Sequence, residues 1–163
     1  MVHNFSVDDV FEMAEMMERN GADFYRKTAE LTDDPRLKDY LVGLSNMELA
    51  HEAMFKNWRE ELADLDPEKT FFDPENEGAQ YLQTIVDGRV SFEHEEHGTG
   101  TMEEILKGAI ASEKDTVIFY LNMQEAIPEY LGKDKISRII REELDHIRLL
   151  TQKLHQLAYE KQQ

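Results

Sequence analysis

Apolar residues recur every three or four positions in four long stretches of the chain, which is the spacing of amphipathic helices. The first predicted helix begins after Ser6, which has a capping-box partner, Asp9, three residues later. The second begins at Pro35, the third near Thr101 and the fourth after Gly132. The pattern therefore predicts an all-α protein.

The loops between these helices differ greatly in length. Those near residues 33 and 132 are short, and short loops join antiparallel neighbours. The stretch 64–100 is long and rich in glycine, with two prolines. We therefore interpret residues 1–163 as one domain, a four-helix bundle of two helical hairpins, 6–63 and 101–160, joined by a long crossover.

Composition and charge exclude several classes of function. The chain has no cysteine, which excludes disulfides, thiolate metal sites and a cysteine nucleophile. The net charge of −17 disfavours binding to nucleic acid or to anionic membranes. We expect a cytoplasmic protein, because the first ten residues lack the basic and apolar segments of a signal peptide.

Each predicted apolar face carries a glutamate at its centre. These residues are Glu18, Glu48, Glu113 and Glu143. Burial of an unpaired carboxylate is costly, so such groups are paired, protonated or bound to metal. Two of them belong to Glu-x-x-His motifs, which place Glu48 beside His51 and Glu143 beside His146 on one helix face. The alternative is an ordinary bundle with the four glutamates on its surface.

The two predicted hairpins repeat each other. A single offset of 95 residues relates Glu18 to Glu113, Glu48 to Glu143, His51 to His146, Phe24 to Phe119 and Tyr25 to Tyr120. One Glu and one Glu-x-x-His from each hairpin is the ligand pattern of ferritin-like di-iron and di-manganese bundles. The repeat therefore predicts a site for two metal ions at the bundle centre.

The segments Glu18 to Tyr25 and Glu113 to Tyr120 both read Glu-x5-Phe-Tyr, and with the two Glu-x-x-His motifs they resemble the rubrerythrin branch of the ferritin-like superfamily. The resemblance extends over nearly the whole chain outside 64–100. It implies a ferritin-like bundle that binds two iron ions, with manganese or zinc as alternatives. The metal ligands that it implies are Glu18, Glu48, His51, Glu113, Glu143 and His146.

The sequence departs from full-length rubrerythrins in two respects. It has no cysteines for a rubredoxin-like domain, and Thr116 stands where those proteins carry a further glutamate. The second difference argues against fast peroxidase turnover.

Two pairs of side chains outside this ligand set are candidates for supporting roles. Tyr25 and Tyr120 each follow a predicted ligand by seven residues, so their hydroxyls could hydrogen-bond a ligand carboxylate. The alternative is that both are ordinary core residues. His94 and His97 lie in an acidic part of the linker, which is more typical of a solvated loop than of a further cation site.

The resemblance implies an oxidoreductase of peroxidase or ferroxidase type, which oxidises its Fe(II) pair with hydrogen peroxide or dioxygen. The alternative is an iron-handling protein without significant turnover. Because the chain has no rubredoxin-like iron, turnover requires an external electron donor such as a rubredoxin or a flavoprotein. We expect a homodimer, and the sequence leaves open whether the hairpins are exchanged between its chains.

Overall fold

Four long helices make up almost all of the regular structure in the computed structural model, which describes residues 5–64, 71–73, 80, 84, 101–127 and 129–161. The helices are α1 (Val7–Glu30), α2 (Pro35–Leu62), α3 (Met102–Ala126) and α4 (Lys133–Glu160). The prediction of an all-α four-helix bundle is confirmed. None of the described helices is both long and apolar enough to cross a bilayer.

Capping boxes begin the first helix of each hairpin. The Ser6 hydroxyl accepts a hydrogen bond from the Asp9 backbone N–H, and the Asp9 carboxylate accepts one from the Ser6 N–H at 2.8 Å. Thr101 and Glu104 make the same reciprocal pair before α3. Both predicted helix starts are thereby confirmed.

Short connections turn each hairpin. Asp34 caps α2 by accepting a hydrogen bond from the Arg36 N–H at 2.9 Å, and Pro35 occupies the first helical position. A single 3₁₀ turn, Glu129–Leu131, precedes α4. Gly132 then adopts φ = 99°, a left-handed conformation that side chains rarely tolerate.

Two apolar clusters fill the bundle, one toward each end. The first is centred on large side chains that are almost fully buried, among them Phe11, Met17, Phe55, Phe119, Met123 and Ile139. The second contains Phe24, Leu37, Leu41, Leu44, Leu106 and Leu150. Along every helix the predicted metal ligands lie between residues of these two clusters, so a layer of charge is enclosed by apolar packing on both sides.

A small β-ribbon was not predicted from the sequence. The strands β1 (Phe5–Ser6) and β2 (Phe71–Asp73) pair antiparallel, with Phe5 opposite Asp73 and Ser6 opposite Phe71. The ribbon ties the start of α1 to the segment that follows α2. Most of the predicted linker 64–100, including His94 and His97, lies outside the described residues.

Candidate metal centre

The six predicted ligands are all buried in the central layer of the bundle. Each helix contributes at least one of them from near its midpoint. The exposed fraction is 1% for His51 and 0% for Glu18, Glu48, Glu113, Glu143 and His146. Four carboxylates at this depth need compensating positive charge, since burial without it is costly. Two divalent cations would neutralise them.

The six side chains form two overlapping groups, and within each group one potential ligand atom per residue lies within 4.8 Å of the others. The first group is Glu18, Glu48, His51 and Glu143, and the second is Glu48, Glu113, Glu143 and His146. Glu48 and Glu143 belong to both groups, so two ions held by these groups would share these two carboxylates. All six come from one chain.

The distances between donor atoms fit coordination of a common ion. His51 Nδ1 lies 2.7 Å from Glu143 Oε1 and 3.2 Å from Glu18 Oε2. His146 Nδ1 lies 2.9 Å from Glu143 Oε2 and 3.2 Å from Glu48 Oε1. Two donors that are each about 2.1 Å from a cation and at a right angle to one another are about 3.0 Å apart.

Several of these buried atoms lack a hydrogen bond of normal geometry within the described part of the chain. They are both oxygens of Glu48, both oxygens of Glu143 and both ring nitrogens of His146. Buried polar atoms are nearly always satisfied. The donor set therefore fits metal ions. Carboxylate oxygens with one imidazole for each group suit iron, manganese or zinc.

In the metal-free protein the pKa values of the two carboxylates that belong to both groups are shifted in opposite directions. Burial, together with Glu113, Glu143 and Glu18 nearby, holds the pKa of Glu48 well above 4.5. Burial also acts to raise the pKa of Glu143, but its contacts with His146 and His51 outweigh burial and lower it. In the metal-free state Glu48 therefore takes up a proton more readily than Glu143.

Both imidazoles are more basic than usual. Burial acts to lower the pKa of His51, but the contacts with Glu143 and Glu18 raise it to about 11. For His146 the effect of burial is likewise outweighed, mainly by Glu143, and its pKa is raised. A metal ion bound at either imidazole therefore has to displace a proton.

The two tyrosines connect the hairpins. The Tyr25 hydroxyl donates a hydrogen bond to Glu113, and the Tyr120 hydroxyl donates one to Glu18. Each phenol therefore contacts the glutamate of the opposite hairpin. These contacts hold Glu113 and Glu18, each of which belongs to only one of the two ligand groups.

Glu142, which the sequence analysis did not identify, forms a hydrogen bond with a histidine of the site. Its Oε2 accepts a hydrogen bond from His51 Nε2 at 2.8 Å, and its Oε1 accepts one from Arg138 Nε at 2.9 Å. Burial acts to raise the pKa of Glu142, but His51 and Arg138 lower it. The only signal in the sequence was its position directly before the predicted ligand Glu143, and the same pattern is common on solvated helix faces.

Thr116 is fully buried at the centre of α3. Its hydroxyl donates a hydrogen bond to the Ser112 carbonyl oxygen at 3.1 Å. The side chain therefore satisfies its donor within its own helix, and it offers no carboxylate to a metal ion.

Comparison with known proteins gives one structural match. No protein-family model matches the sequence, and neither does any curated protein. A crystal structure from Thermotoga maritima, described as that of a candidate ferritin-like diiron-carboxylate protein, matches with a TM-score of 0.68. The match covers 95% of this chain and 98% of the other.

The fold is ferritin-like. The two sequences are only 20% identical, so the comparison establishes the architecture and leaves the chemistry to the residues of the site.

Proposed function

We propose that this protein is a non-haem di-iron protein with rubrerythrin-like oxidoreductase activity. The observation that supports it most strongly is the pair of overlapping buried ligand groups that share Glu48 and Glu143. The similarity of the fold to a candidate diiron-carboxylate protein supports iron as the metal. Manganese and zinc are the alternatives that the same donors allow.

In this proposal each metal ion has its own pair of ligands, and two further carboxylates are shared. Glu18 and His51 would hold one ion, Glu113 and His146 would hold the other, and Glu48 and Glu143 would be available to both. When bound, a pair of Fe(II) ions supplies two electrons, which with two protons reduce hydrogen peroxide to two water molecules or dioxygen to hydrogen peroxide.

The protein contributes orientation and exclusion of solvent. Tyr25 and Tyr120 hold Glu113 and Glu18 by hydrogen bonds, so these carboxylates keep their orientation when an ion enters. The apolar clusters on both sides exclude bulk water, which strengthens every electrostatic interaction within the layer.

Return of the oxidised centre to Fe(II) needs an electron donor from outside the chain, because the sequence has no cysteine for a rubredoxin-like relay. A rubredoxin or a flavoprotein would serve. The net charge of −17 favours a donor with a basic contact patch, and it makes the encounter sensitive to ionic strength.

The test is single-turnover oxidation of the reduced, iron-loaded protein. The protein is reduced without oxygen and mixed in a stopped-flow instrument with hydrogen peroxide or with air-saturated buffer, while Fe(III) absorbance is recorded. Oxidation by peroxide supports the proposal, and oxidation by dioxygen alone indicates a ferroxidase. The matched control is Glu61→Ala, which removes a surface glutamate that pairs with Lys135 at 3.0 Å.

Oxidation by neither reagent within minutes would contradict the enzymatic proposal and leave an iron-handling role. The buried Thr116, with its hydroxyl engaged by Ser112, is the observation that favours slow turnover.

A further inference from the structure

The two histidines of the site are supported unequally. His51 Nδ1 faces the carboxylates of the first ligand group, while its Nε2 donates to Glu142 at 2.8 Å. Glu142 is itself held by Arg138. A carboxylate on the outer nitrogen fixes both the tautomer and the ring orientation of a ligand histidine. The imidazole of His51 is therefore set in place before an ion arrives.

His146 has no such support in the described part of the chain. Its Nδ1 faces Glu143 at 2.9 Å and Glu48 at 3.2 Å, which is the counterpart of the inner contacts of His51. Its Nε2, however, is buried without a hydrogen-bond partner among the described residues. When Nδ1 binds a metal, Nε2 carries the proton, and a buried N–H without an acceptor is costly.

The sequence repeat explains why the outer nitrogens of the two histidines differ in their hydrogen-bond partners. The offset of 95 residues takes His51 to His146, and it takes Met47 to Glu142. The second hairpin therefore supplies a carboxylate to the histidine of the first, while the first hairpin has a methionine at the matching position. Met47 is 39% exposed, and its thioether is only a weak acceptor.

We propose that Glu142 is a positioning residue that makes the two metal positions unequal, so that the position containing His51 binds the first ion and binds it more tightly than the position containing His146. The inference rests on the proposed binuclear metal function and deepens it. Loss of such a supporting hydrogen bond weakens metal binding about 10- to 100-fold, so the affinities should differ by about that factor.

The test is a calorimetric titration of the full-length, metal-free protein with Co²⁺, a redox-stable probe whose visible absorption also reports its coordination. The wild type should show two binding steps. Glu142→Ala should weaken the tighter step about 10- to 100-fold and leave the other unchanged. Glu142→Gln keeps an acceptor oxygen for His51 Nε2, so it should retain most of the affinity although it removes the same charge.

Two further variants sharpen the test. Met47→Glu should supply the missing acceptor to His146, tighten the weaker step and make the two affinities more alike. Glu61→Ala is the control, because Glu61 also bridges α2 and α4 through Lys135 but lies ten residues, about 15 Å along the helix, from His51. It should leave both steps unchanged.

Two equal wild-type affinities, or an unchanged tighter step in Glu142→Ala, would overturn the inference and leave the proposed function standing. Equal losses of Co²⁺ affinity in Glu142→Gln and Glu142→Ala would also overturn it. Such a result would indicate that Glu142 acts by attracting cations with its charge and not by accepting the hydrogen bond from His51. An unchanged weaker step in Met47→Glu would do the same. Absence of any Co²⁺ binding to the wild type would overturn both this inference and the proposed function.

Discussion

Replacement of Glu48 by glutamine should stabilise the protein when no metal is bound. Glu48 is fully buried, and neither of its oxygens has a hydrogen bond of normal geometry in the described part of the chain. Burial and the carboxylates around it raise its pKa, which means that the folded state disfavours its charged form. Glutamine has nearly the same shape and no charge to bury.

The size of the effect follows from the cost of buried charge. Relief of one poorly compensated buried polar or charged group is worth about 1–3 kcal/mol. At this chain length 1 kcal/mol corresponds to about 2–4 °C in Tm, so Glu48→Gln should raise the Tm of metal-free protein by about 2–12 °C.

The gain should also depend on pH. The folded pKa of Glu48 is raised above the value of 4.5 that it has in the unfolded chain, so its penalty is absent below pH 4.5 and grows as the pH rises from 4.5 toward the folded pKa. The variant should therefore gain more over the wild type at pH 8 than at pH 5.

The assay is thermal unfolding of chelator-treated protein, followed by circular dichroism at both pH values and repeated with saturating Fe²⁺ without oxygen. With Fe²⁺ bound, the wild type should be more stable than Glu48→Gln, because glutamine is a poor bridging ligand. An ion at 100 times its Kd adds about 2.7 kcal/mol to the free energy of unfolding of the wild type. Glu61→Gln, a change in a surface ion pair, should shift stability by no more than about 1 kcal/mol.

A lower Tm for metal-free Glu48→Gln at pH 8 would refute the reasoning. So would a gain of the same size at both pH values, because the carboxylate would then not be the source of the penalty.

Three further predictions concern the surroundings of the site. Tyr120→Phe removes the hydrogen bond to Glu18 and should weaken metal binding about 10- to 100-fold by calorimetry, whereas Tyr130→Phe, at a residue that is 68% exposed, should not. Because contacts with carboxylates raise the pKa of His51 to about 11, metal binding should release protons and weaken as the pH falls, and titrations in buffers of different protonation enthalpy measure this release. Phe55→Ala should cost about 3–5 kcal/mol in urea unfolding, because this ring is fully buried and lies 5.3 Å from that of Tyr120.

Local patterns were enough to predict the bundle. Helix starts such as Ser6 and Thr101 depend on residues only three positions apart, and the capping boxes formed as expected. The spacing of apolar residues fixes which helix face is buried, so it also indicated that a glutamate such as Glu113 lies in the interior.

Contacts between hairpins could not be predicted in the same way. The partners of Tyr25 and of Glu142 lie 88 and 91 residues away in sequence, so they depend on how far each helix is shifted along its neighbours. The β-ribbon has the same origin, since the pairing of Ser6 with Phe71 joins segments that are too short to show alternation. Periodicity within one helix contains no information about these shifts.

Metal analysis after loading tests the central claim most directly. The chelator-treated protein is incubated with excess Fe²⁺ without oxygen and desalted, and its iron is then measured by inductively coupled plasma mass spectrometry against protein concentration. The overlapping ligand groups predict about two ions per chain. The double variant Glu48→Ala/Glu143→Ala, which lacks both shared carboxylates, should retain little iron. One ion per chain would contradict the binuclear site, and iron no higher than that of the double variant would contradict metal binding itself.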